Sequence, residues 1–168
     1  MIDRDYCVMM SRYNAWQNNQ LLDLLEQLDP KELTKNRKAF FGSILGTLNH
    51  LLWGDQMWMS RFDGGPVPGA SIPESVDMHP TLATWSADRF RTDGRIKLWA
   101  DGLNNIDLQG DLSWYSGAMG QDVTKPLNML IPHFFNHQTH HRGQVHAMLT
   151  ATGSKAPVSD LFFMPEDV

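Results

Sequence analysis

The residues best equipped for chemistry lie together in His133 to His146, HFFNHQTHHRGQVH, which holds five of the chain's seven histidines. This stretch sits inside Pro126 to Ala151, a run that predicts one helix. Residues four apart on a helix stack on one face. His133, His137 and His141 therefore form a row, which Leu130, Gln144 and Met148 continue. Apolar members of that row turn it into the fold, and imidazoles turned inward need a physical reason. Neutral imidazole binds zinc, nickel, copper and iron well, and two His at i and i+4 can hold one ion.

Three stacked residues on one straight helix do not easily reach a single ion, so another ligand has to come from a different element. His50 is the only histidine in Phe40 to Phe62, which predicts a second long helix, and it lies on a face with Thr47, Trp53, Gly54 and Met57. Gly46 and Gly54, four residues to either side, leave space beside it. Three His ligands with open positions make a reactive centre, whereas four protein ligands close a structural one. His133 stays open between fourth ligand, support for a ligand, and pocket wall. A histidine such as His50 is also commonly a hydrogen-bonded core residue, and an i,i+4 pair arises by chance in a His-rich helix. A helical dimer with purely structural histidines is therefore a competing reading.

The other polar groups near these positions sort by angle, at ~100° per residue. His140 suits a helix–helix contact, and His146, opposite His137, suits solvent or an interface. Asn136 and Arg142 suit the helix surface or a dimer contact, and His79 an exposed loop. Gln144 is placed to orient a ligand, while Trp53 and Met57 suit the mouth of a pocket. Asp55 faces away, so no carboxylate near the ligands offers itself as a general base.

Four elements must position these residues. Asp3 to Leu28 has apolar residues at three- and four-residue steps and ends at Asp29-Pro30. Lys31 to Lys38 reads as a charged connection, and Ser43 as a cap or first-turn residue of the second helix. Asp63 to Pro80, rich in Pro and Gly, is a long loop of the kind that often covers a site. Thr81 to about Asn105 predicts the third helix. Leu112 to Tyr115 and Gln121 to Thr124 predict a small hairpin around a Gly-rich centre. Pro126 opens the last helix and Gly153 ends it. The tail from Ser154 carries Leu161, Phe162, Phe163 and Met164, which suggests docking on the body or a partner. The expected architecture is all-α, a four-helix bundle with a small β-hairpin before the last helix, forming one domain over residues 1–168. Such bundles build metal sites from facing helices.

Composition narrows the function. The net charge is −5 without a dense Lys/Arg cluster, so the electrostatic footprint of nucleic-acid binding is missing. No run approaches the ~20 apolar residues of a membrane span. Cys7 is the single cysteine, which rules out an intramolecular disulfide and fits a reducing compartment. With no apolar core of signal-peptide length in the opening residues, the expected location is cytoplasmic. Cys7 itself reads as a small buried hydrophobe.

The segment NHQTHHRGQVHAML (residues 136–149), preceded by LNHLLWGD (residues 48–55) and a Gly-containing hairpin in the right order, resembles the DinB family. That family is related to YfiT-like metal-dependent hydrolases and thiol S-transferases. The resemblance spans nearly the whole chain and implies a four-helix bundle, commonly a homodimer, with a divalent metal, zinc or nickel first, held by three His. Carried over by position, the ligands are His50, His137 and His141. It further implies a small-molecule substrate, with low-molecular-weight thiols such as bacillithiol or mycothiol transferred to electrophiles by some relatives. A metal-binding protein without turnover is the alternative. The mycothiol subtype is less favoured, since no separate thiol-binding domain is evident.

Overall fold

A computed structural model describes residues 2–168. Four long helices carry the structure: α1 (Arg4–Leu25), α3 (Ile44–Asp63), α4 (Leu82–Gly102) and α5 (Leu127–Thr150), with a short α2 (Pro30–Thr34). A two-stranded antiparallel hairpin, β1 (Asp111–Ser116) and β2 (Gln121–Pro126), precedes α5 and pairs Trp114 with Val123. The fold is the expected helical bundle. Among the described residues no helix is long and apolar enough to cross a membrane.

The helices start where the chemistry of their caps dictates. Asp3, Ser43 and Thr81 have extended backbones, and their side chains accept from the backbone N–H three residues on, Tyr6, Gly46 and Thr84. Ser43 thereby sets the start of α3 at Ile44, later than Phe40. The segment Ala39–Gly42 is instead a tight turn closed by an isolated bridge, with Gly42 at φ 75°. At its other end α1 stops at Leu25, because Gln27 and Leu28 bond back to Leu24 and Leu25 in tightened turns. The charged connection contains α2, with Pro30 in its first turn, Asp29 accepting from the Lys31 N–H, and Leu33 buried. Pro126 closes β2 and precedes α5 rather than starting it.

Each long helix repeats one burial pattern. Cys7, Met59, Ile96, Ile131, Phe134 and Phe135 belong to one apolar cluster, and Leu21, Leu25, Leu48, Leu52, Trp85, Val145 and Leu149 to another. Between them each helix contributes buried polar groups: Asn14 and Asn18 from α1, Asp55 from α3, Arg89 and Asp93 from α4, Gln138 and Arg142 from α5. The order of clusters along the chain shows that α1 and α5 run one way and α3 and α4 the other. Because α3 and α4 are parallel, residues 64–81 must travel the length of the bundle, ~30 Å at ~1.5 Å per residue, and that crossover passes the histidines.

The tail docks through polar groups, not through its phenylalanines. The Gln17 amide donates to the Val158 carbonyl at 2.7 Å, Arg12 donates to the carbonyls of Glu166 and Val168, and Tyr13 donates to that of Ser159. Phe162 and Phe163 remain exposed.

Candidate metal centre

α3 and α5 pack antiparallel and bring His50, His137 and His141 together. One ring nitrogen from each lies within 4.8 Å of the other two, the only such His/Cys/Asp/Glu group among the described residues. Each imidazole is held by a separate device. His50 is buried, stacked on Phe41 at 3.8 Å between ring centroids, with its Nδ1 3.0 Å from Ser75 Oγ. The Ser75 hydroxyl donates to the Ile72 carbonyl at 2.6 Å, so its oxygen accepts from His50 Nδ1–H. That leaves Nε2 of His50 unprotonated. At His141 the Nδ1–H donates to Gln144 Oε1 at 2.8 Å, again freeing Nε2. The expectation that Gln144 orients a ligand matches this contact. A protonated Nδ1 and a bare Nε2 is the tautomer that ligates a metal through Nε2.

His137 is positioned by an absence. A Cβ on Gly54 would lie 2.8 Å from its Cε1, so only glycine lets the α3 backbone approach that ring. Gly46 serves a different purpose: a Cβ there would meet the Phe41 carbonyl at 2.5 Å, so it accommodates the chain entering α3 rather than an imidazole. His137 Nε2 lies 3.0 Å from the bare Nε2 of His141. If His137 donates across that gap, its Nδ1 becomes a buried acceptor with no partner. A cation between the rings engages both Nε2 lone pairs, with the His137 proton then on Nδ1. Ligand nitrogens ~2.0–2.1 Å from one zinc stand ~3.3 Å apart in a tetrahedron, close to the separation of the pair. The donor set therefore fits a divalent metal.

Electrostatics agree. Burial, then the neighbouring His141 charge, pushes His50 down to about 4. Burial, then His141, His50 and other histidines, pushes His137 down to about 3. Burial also lowers His141, partly opposed by the Gln144 bond. All three are neutral at pH 7, as metal binding requires.

The crossover covers this centre. Trp53 Nε1 donates to the Ala70 carbonyl at 2.7 Å, and the Asn49 amide donates to the carbonyls of Val76 and His79 at 2.8 and 2.9 Å. A one-turn 3-10 segment, Pro73–Asp77, delivers Ser75. Beside the histidines lies a cavity of about 800 Å³ between α3, the crossover, the hairpin and α5. Trp53, Met57, Trp58 and Trp114 line it, as do His50 and His137. Trp53 and Met57 thus occupy the pocket where the sequence puts them.

His133 stands in the cavity wall, its ring edge-on to Trp58 at 5.2 Å and 6.1 Å from the His137 ring, outside the cluster of three. His140 is exposed, and among the described residues its ring meets Gln144 and His141 of its own helix, not another helix as expected, while His146 lines a small cavity with Tyr13. His79 is not a free loop residue: its Nε2 is 3.0 Å from the Asp88 carboxylate. Arg142 is not on the surface. It is buried, and donates to Asn14 in the polar layer. Asp55 does face away from the ligands, but into the core. Its carboxylate accepts from Arg89 at 2.6 Å and from Gln138 at 3.1 Å. Sequence neighbours of the ligands thus lock α3 to α5 directly behind the site. Sequence reasoning missed Phe41, Ser75, Trp58, Trp114 and Arg61. Only the Pro73 that opens the turn before Ser75 left any local signal.

Comparison with known proteins gives a consistent picture. The chain is 27% identical over 162 residues to "Protein DinB" of Bacillus subtilis (strain 168), covering 93% of this chain and 91% of that protein. A family model described as "DinB family" matches residues 1–167. This chain belongs to the DinB family.

Proposed function

We propose that the chain is a metal-dependent enzyme in which His50, His137 and His141 hold one divalent cation, zinc or nickel, and that it transfers a small thiol to an electrophile. The observation that carries this reading is the convergence of three neutral imidazoles, two with their Nδ1–H fixed, at the edge of a large cavity. A dication on three neutral ligands keeps its charge and lowers the pKa of a bound thiol or water. The chain's own residues supply the rest. Ser75 and Gln144 aim two of the rings, Gly54 makes room for the third, and Trp53, Met57, Trp58 and Trp114 line the cavity with apolar surface. Among the described residues no Asp or Glu lines that cavity. A thiolate nucleophile needs no general base, whereas water attack does, so the lining favours thiol transfer.

Hydrolysis is the second reading, and His133 supports it. It is the histidine of the cavity wall outside the cluster, and burial holds its pKa below the usual value, leaving it neutral and able to take a proton at pH 7. A non-catalytic metal-binding role is the remaining alternative, for which the wide cavity has no use. The resemblance also implies a homodimer, and exposed Phe40, Phe162 and Phe163 are apolar surface that such an interface would cover.

The test uses protein loaded with zinc or nickel, small thiols such as cysteine, and a chromogenic alkylating electrophile. Thiol-dependent turnover should vanish in His50→Ala and His137→Ala and persist in His133→Asn. Ester cleavage lost in His133→Asn, without thiol transfer in the wild type, selects the hydrolytic reading. Equal turnover in wild type, His50→Ala and His137→Ala contradicts both.

A further inference from the structure

One charge in the cavity has no role in the chemistry proposed above. Arg61 lies two turns beyond Gly54 on α3 and lines the cavity, half-buried. Its guanidinium sits 4.6 Å over the Trp58 ring and 5.3 Å from that of Trp114, one ring from α3 and one from β1. The other arginines with buried or half-buried heads all have acceptors: Arg37 has Glu32, Arg89 has Asp55 and Asp93, Arg95 has Asp63, Arg142 donates to Asn14, and Arg12 donates to carbonyls of the tail. Arg61 makes no ion pair or hydrogen bond among the described residues, although the chain as a whole is acidic, with net charge −5. Taking a cation partly out of water without a counter-charge is costly. Two tryptophans hold the planar head while its N–H edge stays unengaged.

Its place relative to the histidines sets the size of what it would hold. Arg61 is eleven residues beyond His50 on one helix, ~16 Å along the axis at ~1.5 Å per residue. Trp58 and His133, in edge contact at 5.2 Å, form the wall between the two ends.

We infer that the cavity takes an elongated small molecule with a carboxylate at the end remote from its reacting group, Arg61 donating both N–H bonds of its fork to that carboxylate. A single guanidinium matches one carboxylate in charge and geometry, whereas a phosphate dianion would be left half-neutralised. This inference rests on the metal centre for the reacting end and names the substrate class for it. The carboxylate belongs either to the thiol or to its reaction partner.

Calorimetric titration of zinc-loaded protein separates these sources. The probes are 8-mercaptooctanoate, its neutral counterpart 8-mercaptooctanol, and the thiol-free monomethyl suberate with its neutral counterpart dimethyl suberate. The proteins are wild type, Arg61→Met, Arg61→Lys and His137→Ala, each checked for native helicity. In wild type at least one acid binds about tenfold to a hundredfold tighter than its neutral counterpart. Arg61→Met removes that ratio and leaves 8-mercaptooctanol binding as before, and Arg61→Lys keeps part of it. A ratio confined to the mercapto acid assigns the carboxylate to the thiol, and one confined to monomethyl suberate assigns it to the other substrate. Equal affinities for acid and neutral probe in wild type, or a ratio that survives Arg61→Met, overturns the inference. Thiol binding indifferent to His137→Ala would instead defeat the metal reading, while an Arg61-dependent ratio in the same titrations would leave the subsite standing.

Discussion

Replacing Gly54 with alanine should weaken metal binding even though it improves the helix. Within α3 the substitution gains about 1 kcal/mol of helix propensity. The added Cβ, however, would lie 2.8 Å from Cε1 and 3.4 Å from Nδ1 of His137. That ring cannot swing away freely, since His141 packs against it at 4.4 Å between centroids and His50 at 5.7 Å. Overpacking of this kind costs about 1–3 kcal/mol, so net stability without metal changes by about −2 to 0 kcal/mol. The larger effect falls on the ligand. A displaced imidazole should lower zinc affinity about tenfold to a hundredfold, as disturbed ligand supports do, or about 1.4–2.7 kcal/mol. Gly143→Ala is the control, because it lies on α5 beside the ligands with nothing within 4 Å of its added Cβ. It should gain the propensity term, about 1 kcal/mol, and leave affinity unchanged. Competition against a chromophoric zinc chelator measures the affinities and urea unfolding of the metal-free proteins measures the stabilities. If Gly54→Ala binds zinc like wild type, the contact between α3 and His137 does not position a ligand and the reasoning is refuted.

Other consequences follow from the same geometry. Ser75→Ala leaves His50 Nδ1–H without its acceptor and should weaken zinc binding about tenfold, read by the same chelator competition; unchanged affinity would show that the crossover does not orient His50. Arg89→Met strips two buried aspartates of their cation and should cost about 3–5 kcal/mol in urea unfolding, whereas a loss under about 1 kcal/mol, typical of surface pairs, would mean the polar layer does not hold the helices in register. His50 and His137 have folded pKa values depressed to about 4 and about 3. The unfolded chain therefore binds more protons below its ordinary histidine pKa of ~6.5, and metal-free stability should be full above that pH. It should fall progressively as pH drops from ~6.5 toward the folded values, by less than the sum of the two separate shifts because the rings are coupled. His137→Asn should flatten that slope in melting curves taken across the range.

Much of this was legible from residue spacing. The pair His137 and His141 follows from helical geometry, and His50 from its place on an inward face of the second helix. Cap chemistry at Ser43, the third helix beginning at Thr81, the Pro/Gly-rich crossover and the hairpin are local signals that the fold keeps. What stayed hidden was set by tertiary contact. Arg142 reads as surface because its partners, Asn14 and the polar layer, come from helices far away in sequence. The polar layer interrupts each helix between apolar clusters, and such a break looks like an exposed face when one helix is read alone. Ser75 and Arg61 gain their meaning from His50 and from two tryptophans on different elements, contacts that no periodicity encodes. His79 was misread for the same reason, its partner Asp88 lying on α4.

The central claim is that three histidines from two helices hold one metal ion and leave positions open. X-ray absorption at the zinc edge, with metal stoichiometry on the same samples, tests it most directly. One zinc per chain with three imidazole scatterers and at least one exchangeable oxygen or sulfur ligand is the predicted result. His50→Ala, His137→Ala and His141→Ala should each lose an imidazole, and His133→Ala should keep all three. A fourth imidazole that disappears in His133→Ala, or a first coordination sphere unchanged in His50→Ala, would contradict the account.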